Sequence, residues 1–247
     1  MQCFKNKTYI ITGASSGVGK NVAEYLTKQL NANVILIARR KEIIDRLADM
    51  LPGNNYAIEF DLTNTERIGE IFEILEKKDV YVDGLVYAAG IAPLQKLEDN
   101  EYDLMMETMK INVLSFAEMG KYMLQSKCVR NEGAVVAVSS IVSLVASNRQ
   151  SAYASSKAML NTYVKYFAKE ALGKLRVNAV LPGAIETEMY QKLREQTDNF
   201  DEKMKRNYPL GVIPVDRISK LIVYLLSDDA DFITGSLFNI DGGFLLK

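Results

Sequence analysis

Short apolar runs alternate with longer stretches of helical period along the whole chain. β-rich runs occupy 8–12 (T-Y-I-I-T), 33–38 (N-V-I-L-I-A), 55–60 (N-Y-A-I-E-F), 84–87, 134–139 (A-V-V-A-V-S), 176–181 and 236–240. Runs this short, with little polar alternation, suit strands buried on both faces of a parallel sheet. Between them apolar residues recur at helical spacing, as at Ile68, Ile71, Phe72 and Leu75. One long, methionine-rich helix is predicted over 98–127, interrupted by Asn112, whose spacing alone suggests a structural role. A helix over 152–172 places Leu160, Val164, Phe167 and Ala171 on one face. Met159, Tyr163 and Tyr166 form a second stripe, suited to a helix of another subunit or to a neighbour in the same chain. A last helix is predicted over 218–226. No repeat or low-complexity linker divides the chain, so the alternation predicts one α/β domain over 1–247. Its architecture is a doubly wound parallel sheet flanked by helices.

The strand ends carry the chemistry. The first run leads into G-A-S-S-G-V-G and then a helix, which is the opening of a dinucleotide-binding unit. Gly13, Gly17 and Gly19 allow the sharp turn and close backbone approach. With Ser15, Ser16 and Val18 they would present N–H groups and a helix terminus to a pyrophosphate. The second run ends at Ala38, where an acidic residue would read a ribose 2′-hydroxyl; Arg39, Arg40 and Lys41 follow instead. That charge pattern favours NADP(H) over NAD(H), with Arg39 the first choice for the 2′-phosphate and Arg40 the reserve. The alternative is a solvated helix start. The third run ends in Asp61 and Leu62; Asp61 suits an adenine amino group, the cap of the next helix, or both. The fourth ends in A-A-G, 88–90. After the sixth come Pro182 and Gly183, then an irregular amphipathic stretch at about 187–212 placed to cover a substrate. The alternative there is an ordinary surface helix. Its scattered apolar residues are Met189, Tyr190, Leu193, Phe200, Met204 and Tyr208.

Composition narrows the chemistry. The chain has 247 residues, 30 Lys and Arg against 31 Asp and Glu, and no histidine. The balance offers nucleic acid no net attraction, and acid–base work falls to Tyr, Lys, Asp, Glu or Cys. Cys3 and Cys128 form neither a metal-spaced cluster nor a disulfide framework, so no metal site is expected. With no signal-like or membrane-spanning apolar run, the expected location is the cytoplasm. In Tyr153-x-x-x-Lys157 one helical turn brings an ammonium beside a phenol and should lower the phenol's pKa; the alternative is an ordinary surface pair of a helix. Ser139 and Ser140 end the strand upstream and offer a hydroxyl for the same substrate oxygen.

T-G-A-S-S-G-V-G (12–19), Asp61-Leu62, A-A-G (88–90), Asn112, Ser140, Tyr153-x-x-x-Lys157, N-A-V-L-P-G-A-I-E-T (178–187) and D-G-G (241–243) together resemble the short-chain dehydrogenase/reductase family. The resemblance covers the whole chain and implies a Rossmann fold, a nicotinamide cofactor and an Asn–Ser–Tyr–Lys tetrad. It implies that Tyr153 is the acid/base, that Lys157 lowers its pKa and binds the nicotinamide ribose, and that Ser140 rather than Ser139 holds the substrate oxygen. It makes Asn112 the holder of a proton-relay water, Ala89 and Gly90 part of the cofactor wall, and Ile185 and Thr187 contacts of the carboxamide. The family's N-N-A-G is Y-A-A-G here, so Tyr87 and Ala88 replace two asparagines. P-G-A-I-E-T-E-M and P-L-G (209–211) are similar to bacterial 3-oxoacyl-acyl-carrier-protein reductases, although Val212 stands where arginine often follows. That branch implies a carrier-linked substrate docked on cations such as Lys121, Lys127 and Arg130, or Lys169, Lys174 and Arg176. Hydroxysteroid, sugar and other small ketones are the alternative substrates, and a homodimer or homotetramer is expected. A non-catalytic NADP(H)-binding regulator is the contrary reading, opposed by the complete tetrad.

Overall fold

The computed structural model describes residues 4–195 and 199–246. Its sheet consists of β1 (Thr8–Thr12), β2 (Asn33–Ala38), β3 (Tyr56–Glu59), β4 (Val82–Tyr87), β5 (Val129–Val138), β6 (Leu175–Pro182) and β7 (Leu237–Ile240). All neighbours run parallel, in the order β3-β2-β1-β4-β5-β6-β7. This is the doubly wound Rossmann arrangement that the alternating pattern predicts. Successive residues of a strand face opposite sides, and β1 shows the consequence. Ile10 enters a core with Phe72, Phe116 and Leu160, whereas Ile11 enters a second core with Val22, Leu26 and Ile222. Burying each such side chain contributes about 1.5–3 kcal/mol.

The first core lies under α3 (Gly69–Lys77), α5 (Ser115–Gln125) and α6 (Ser151–Glu170). The second lies under α1 (Gly17–Leu30), α2 (Lys41–Met50) and α9 (Val215–Leu226). The α6 face carrying Leu160, Val164, Phe167 and Ala171 is buried, as its spacing requires. Met159, Tyr163 and Tyr166 are exposed, at 37%, 37% and 66%, so the described residues leave this stripe at least partly uncovered.

The predicted helix over 98–127 is broken. A 3-10 turn (Leu97–Asp99) precedes α4 (Tyr102–Met109), and a π-helical turn at Lys110–Leu114 separates α4 from α5. In this wide turn the Ser115 N–H reaches back to the Lys110 carbonyl. The physical reason is Asn112: its side chain bonds sideways to other segments, and the helix accommodates one extra residue to aim it there.

The stretch over 187–212 forms α7 (Glu188–Glu195) and α8 (Phe200–Asn207) beyond the carboxyl end of β6. Tyr190 and Phe200 meet edge to face at 5.0 Å, and Arg194 pairs with Asp201 at 2.6 Å. Residues 196–198 of that stretch, the side chains of Met189 and Leu193, and Cys3 lie outside those described. Cys128 is a buried free thiol. Among the described residues, no helix is long and apolar enough to cross a membrane, and no His/Cys/Asp/Glu group is arranged to hold a metal ion.

Candidate active site

Residues at the carboxyl ends of β1 to β6 line one cavity of about 390 Å³. Its wall includes the turns after β1 and β4, the pair at which the strand order reverses. Such a switch point is where open α/β sheets bind ligands.

One half of the cavity is built from backbone. Gly13 has φ +65°, and a Cβ there would stand 2.9 Å from the Ala88 carbonyl oxygen and the Ala89 backbone. Only glycine lets this turn lie so close to the next strand end. Ser15, Ser16, Gly17 and Val18 line the cavity. The Ser16 side chain makes no cap bond and the first turn of α1 has no acidic residue, so that terminus is suited to an anion. Gly19 does not line the cavity. A Cβ there would fall 2.5 Å from the Gly13 carbonyl oxygen, so its part is to pack α1 against the turn from behind.

Arg39 and Arg40 line the adjoining wall, both exposed, and Arg40 Nη2 donates to Ser15 Oγ at 2.9 Å. The reserve cation is thus the one tied directly to the glycine-rich turn. Asp61 and Leu62 follow on the same wall. Asp61 Oδ1 accepts from the Thr63 backbone N–H and hydroxyl, both at 2.9 Å. That is an Asx turn, and because Asn64 is the residue before the next helical turn, Asp61 does not cap it.

The other half is built from side chains, of which Ser140 and Lys157 are buried and Tyr153 half-buried. Lys157 is 3% exposed and its Nζ donates to the Val138 carbonyl at 2.8 Å. Burial with no carboxylate partner pushes its ammonium down from 10.5 to about 7. Tyr153 lies one turn earlier, its ring centroid 5.8 Å from Lys157 Nζ. Burial raises the phenol's pKa, and the Ser140 hydroxyl beside it works in the opposite direction. The expected lowering by Lys157 is therefore corrected: the ammonium is turned to Val138, and desolvation dominates the phenol. Ser139 Oγ donates to the Lys157 carbonyl at 3.3 Å, which anchors α6 to β5 and leaves Ser140 as the hydroxyl beside Tyr153.

Asn112 stands behind this wall rather than in it. Fully buried, it accepts from the Ile91 N–H at 2.9 Å, donates to the Ile91 carbonyl at 2.9 Å, and donates to Ser156 Oγ at 2.8 Å. Ser156 Oγ in turn donates to the Tyr153 carbonyl at 2.7 Å. Asn112 thus joins the segment after β4 to the start of α6. Its side chain is fully bonded within the protein, which leaves no side-chain donor for the water implied by resemblance. Beyond the end of β4, the Thr12 hydroxyl accepts the Ala88 and Ala89 N–H groups at 3.1 and 3.2 Å.

The cavity also brings in Ala89, Gly90, Pro182, Gly183, Ile185 and Thr187, all expected from the sequence. It adds Phe60, Ile91, Ile111, Val138 and Glu188, which were not expected. Ile91 directly follows the A-A-G turn, Glu188 lies within P-G-A-I-E-T-E-M, and Ile111 directly precedes Asn112, so each adjoins or falls in a recognised motif. The proposed docking cations are mostly engaged elsewhere. Lys121 pairs with Glu118 and Arg130 with Asp83, while Lys174 donates to the Leu124 carbonyl and Arg176 to those of Leu225 and Ser227.

A family model described as enoyl-(acyl carrier protein) reductase matches residues 13–245. The 3-oxoacyl-[acyl-carrier-protein] reductase of Thermotoga maritima is 34% identical over 251 residues, covering 98% of this chain and 99% of the relative. The chain belongs to the short-chain dehydrogenase/reductase family. An NAD-dependent glycerol dehydrogenase of Listeria innocua is 30% identical over 98% of the chain and 95% of its own length. The solved structure of ElxO with NADP bound superposes with a TM-score of 0.86 at 28% identity, covering 98% of this chain and 100% of that one.

As a short-chain dehydrogenase/reductase, this chain is an oxidoreductase acting on a carbonyl/alcohol pair. The family's nicotinamide dinucleotide fits what is present: a glycine cradle that a Cβ would fill, a helix terminus free of acid, and two cations beside it.

Proposed function

We propose that this enzyme interconverts a carbonyl and a secondary alcohol using NADP(H), with a 3-oxoacyl thioester on acyl carrier protein as its substrate. The reading rests chiefly on one observation: Tyr153 and Ser140 stand side by side on the wall of the cavity that Arg39 and Arg40 also line. Gly13, Ser15, Ser16, Gly17 and Val18 would hold the pyrophosphate, Arg39 and Arg40 the 2′-phosphate, Asp61 and Leu62 the adenine, and Ile185 and Thr187 the carboxamide. When bound, the dinucleotide supplies or receives the hydride. Tyr153 gives its proton to the carbonyl oxygen, and Ser140 donates a hydrogen bond to that oxygen. A phenol kept protonated by burial is in the right form to act as an acid at neutral pH. Lys157, whose ammonium donates to the Val138 carbonyl, would bind the nicotinamide ribose and replenish the proton.

The helices α7 and α8 act as the substrate lid, and Met159, Tyr163 and Tyr166 pack against a second copy in a cytoplasmic homodimer or homotetramer.

A second reading, a small-ketone or polyol dehydrogenase, is favoured by the internal engagement of Lys174 and Arg176, which reduces the cation supply for an acidic carrier. Initial rates separate the two. NADPH oxidation with acetoacetyl-acyl-carrier-protein should exceed NAD reduction with glycerol by at least ~100-fold in kcat/KM. The reverse order overturns the carrier-linked assignment.

A further inference from the structure

Tyr87 ends β4, buried with no exposed surface, at the first of the two positions where the family pattern has asparagine. Its ring packs edge to face on Phe116 at 5.2 Å, and burial keeps its phenol protonated. The hydroxyl does not face the cavity. It contacts the Ile111 carbonyl oxygen and Ser115 Oγ, and Ser115 Oγ also donates to Ile111 at 3.0 Å. Ile111 lies inside the π-helical turn, immediately before Asn112.

A wide turn of this kind does not follow the ordinary helical ladder, so an outside group that bonds its carbonyls can decide where it forms. The residue so placed is Asn112, which bonds Ile91 at the cavity wall and Ser156 on α6, and Ser156 bonds the Tyr153 carbonyl. A continuous buried polar chain therefore runs from β4 through the turn to the residue carrying the phenol. Gly90 lies at the same corner: a Cβ there would stand 3.3 Å from both Asn112 Oδ1 and Lys157 Nζ, so the amide and the ammonium flank one glycine.

We propose that Tyr87 is a positioning residue of this enzyme: its hydroxyl pins the Lys110–Leu114 turn, and through Asn112 and Ser156 it sets the start of α6 that carries Tyr153 and Lys157. The rate consequence rests on the tetrad roles proposed above; the structural consequence does not.

The test is Tyr87→Phe in the full-length enzyme, which keeps the ring and removes the hydroxyl. Amide hydrogen exchange at 152–157 should accelerate at least ~5-fold, although Tyr87 bonds no residue of that segment. With acetoacetyl-acyl-carrier-protein and NADPH, kcat should fall ~10-fold while both KM values stay within about twofold. The pH at which kcat is half-maximal should move by ~0.5 unit as the Tyr153–Lys157 pair is displaced. Wild-type exchange at 152–157 with wild-type kcat and pH profile overturns the proposal, even if the melting temperature drops. Ser115→Ala removes the second hydroxyl at the same carbonyl and should accelerate exchange at 152–157 in the same direction by a smaller factor; it decides the matter if Tyr87→Phe does not fold. A wild-type enzyme idle on the thioester would count against the substrate assignment, and the exchange measurement would still decide the role of Tyr87.

Discussion

The two halves of the cavity are made of different materials. Around Gly13 to Val18 and Arg39 to Arg40 the wall is backbone and exposed cation, with one side-chain bond, Arg40 to Ser15, across it. Around Asn112, Ser140, Lys157 and the half-buried Tyr153 it is a mostly buried network of side chains that bond one another and the backbone. Exposed charges can be exchanged with little effect on folding, because water screens and solvates them in either state. A buried ammonium or amide is different: its solvation is replaced by a few fixed partners, and altering it changes stability, pH dependence and chemistry together. The first half is thus suited to choosing a ligand, and the second to setting protonation states.

The largest effect is expected at Lys157. Its folded-state pKa of about 7 lies below the ordinary 10.5, so between those values the unfolded chain holds a proton that the folded chain has released. Wild-type stability should rise with pH across that window, and the full cost is carried below it. Lys157→Met should abolish turnover yet raise stability by on the order of 2–4 kcal/mol at pH 6, the advantage shrinking as pH approaches 10. Urea unfolding at pH 6 and pH 9.5 measures it; a difference independent of pH would erase the contrast between the halves.

Asn112→Ala comes next. It removes both bonds to Ile91 and the one to Ser156, and should cost about 2–3 kcal/mol. A fall of ~100-fold in kcat should accompany it, with the NADPH Kd within about threefold. Equal losses in cofactor binding and turnover would show the two halves to be one unit.

The smallest energetic effect belongs to the backbone-and-cation half. Arg39→Asp with Arg40→Ser should shift the NADPH/NADH ratio of kcat/KM by ~10-fold or more toward NADH. Stability should change by no more than ~0.5 kcal/mol, since both side chains are exposed. An unchanged ratio would remove the 2′-phosphate role from both arginines.

The contrast also governs what could be read in advance. The parallel α/β architecture and the core-facing sides of its elements follow from buried runs and helical faces, because period and burial are local properties of the chain; the order of the strands is not local and came only with the structure. The Gly13 to Gly19 turn was legible for the same reason: its parts are contiguous, and each glycine answers a local backbone need. The buried half assembles from four distant segments, and there the reading was partial. Asn112 was visible as an interruption, but periodicity carries no sign of the wide turn that aims it sideways to Ile91 and Ser156. Spacing brings Lys157 beside Tyr153 but reveals neither desolvation nor where the ammonium points: the phenol's pKa is raised by burial, and the ammonium bonds the Val138 carbonyl. Lys174 and Arg176 read as surface charge, whereas carbonyls at the ends of α5 and α9 are their partners.

Tyr153→Phe bears most directly on the central claim that one half binds and the other transfers the proton. NADPH affinity, followed by nucleotide fluorescence, should stay within about threefold of wild type while kcat for thioester reduction falls by at least ~1000-fold. Turnover close to wild type in that variant would contradict the assignment of Tyr153 as the acid.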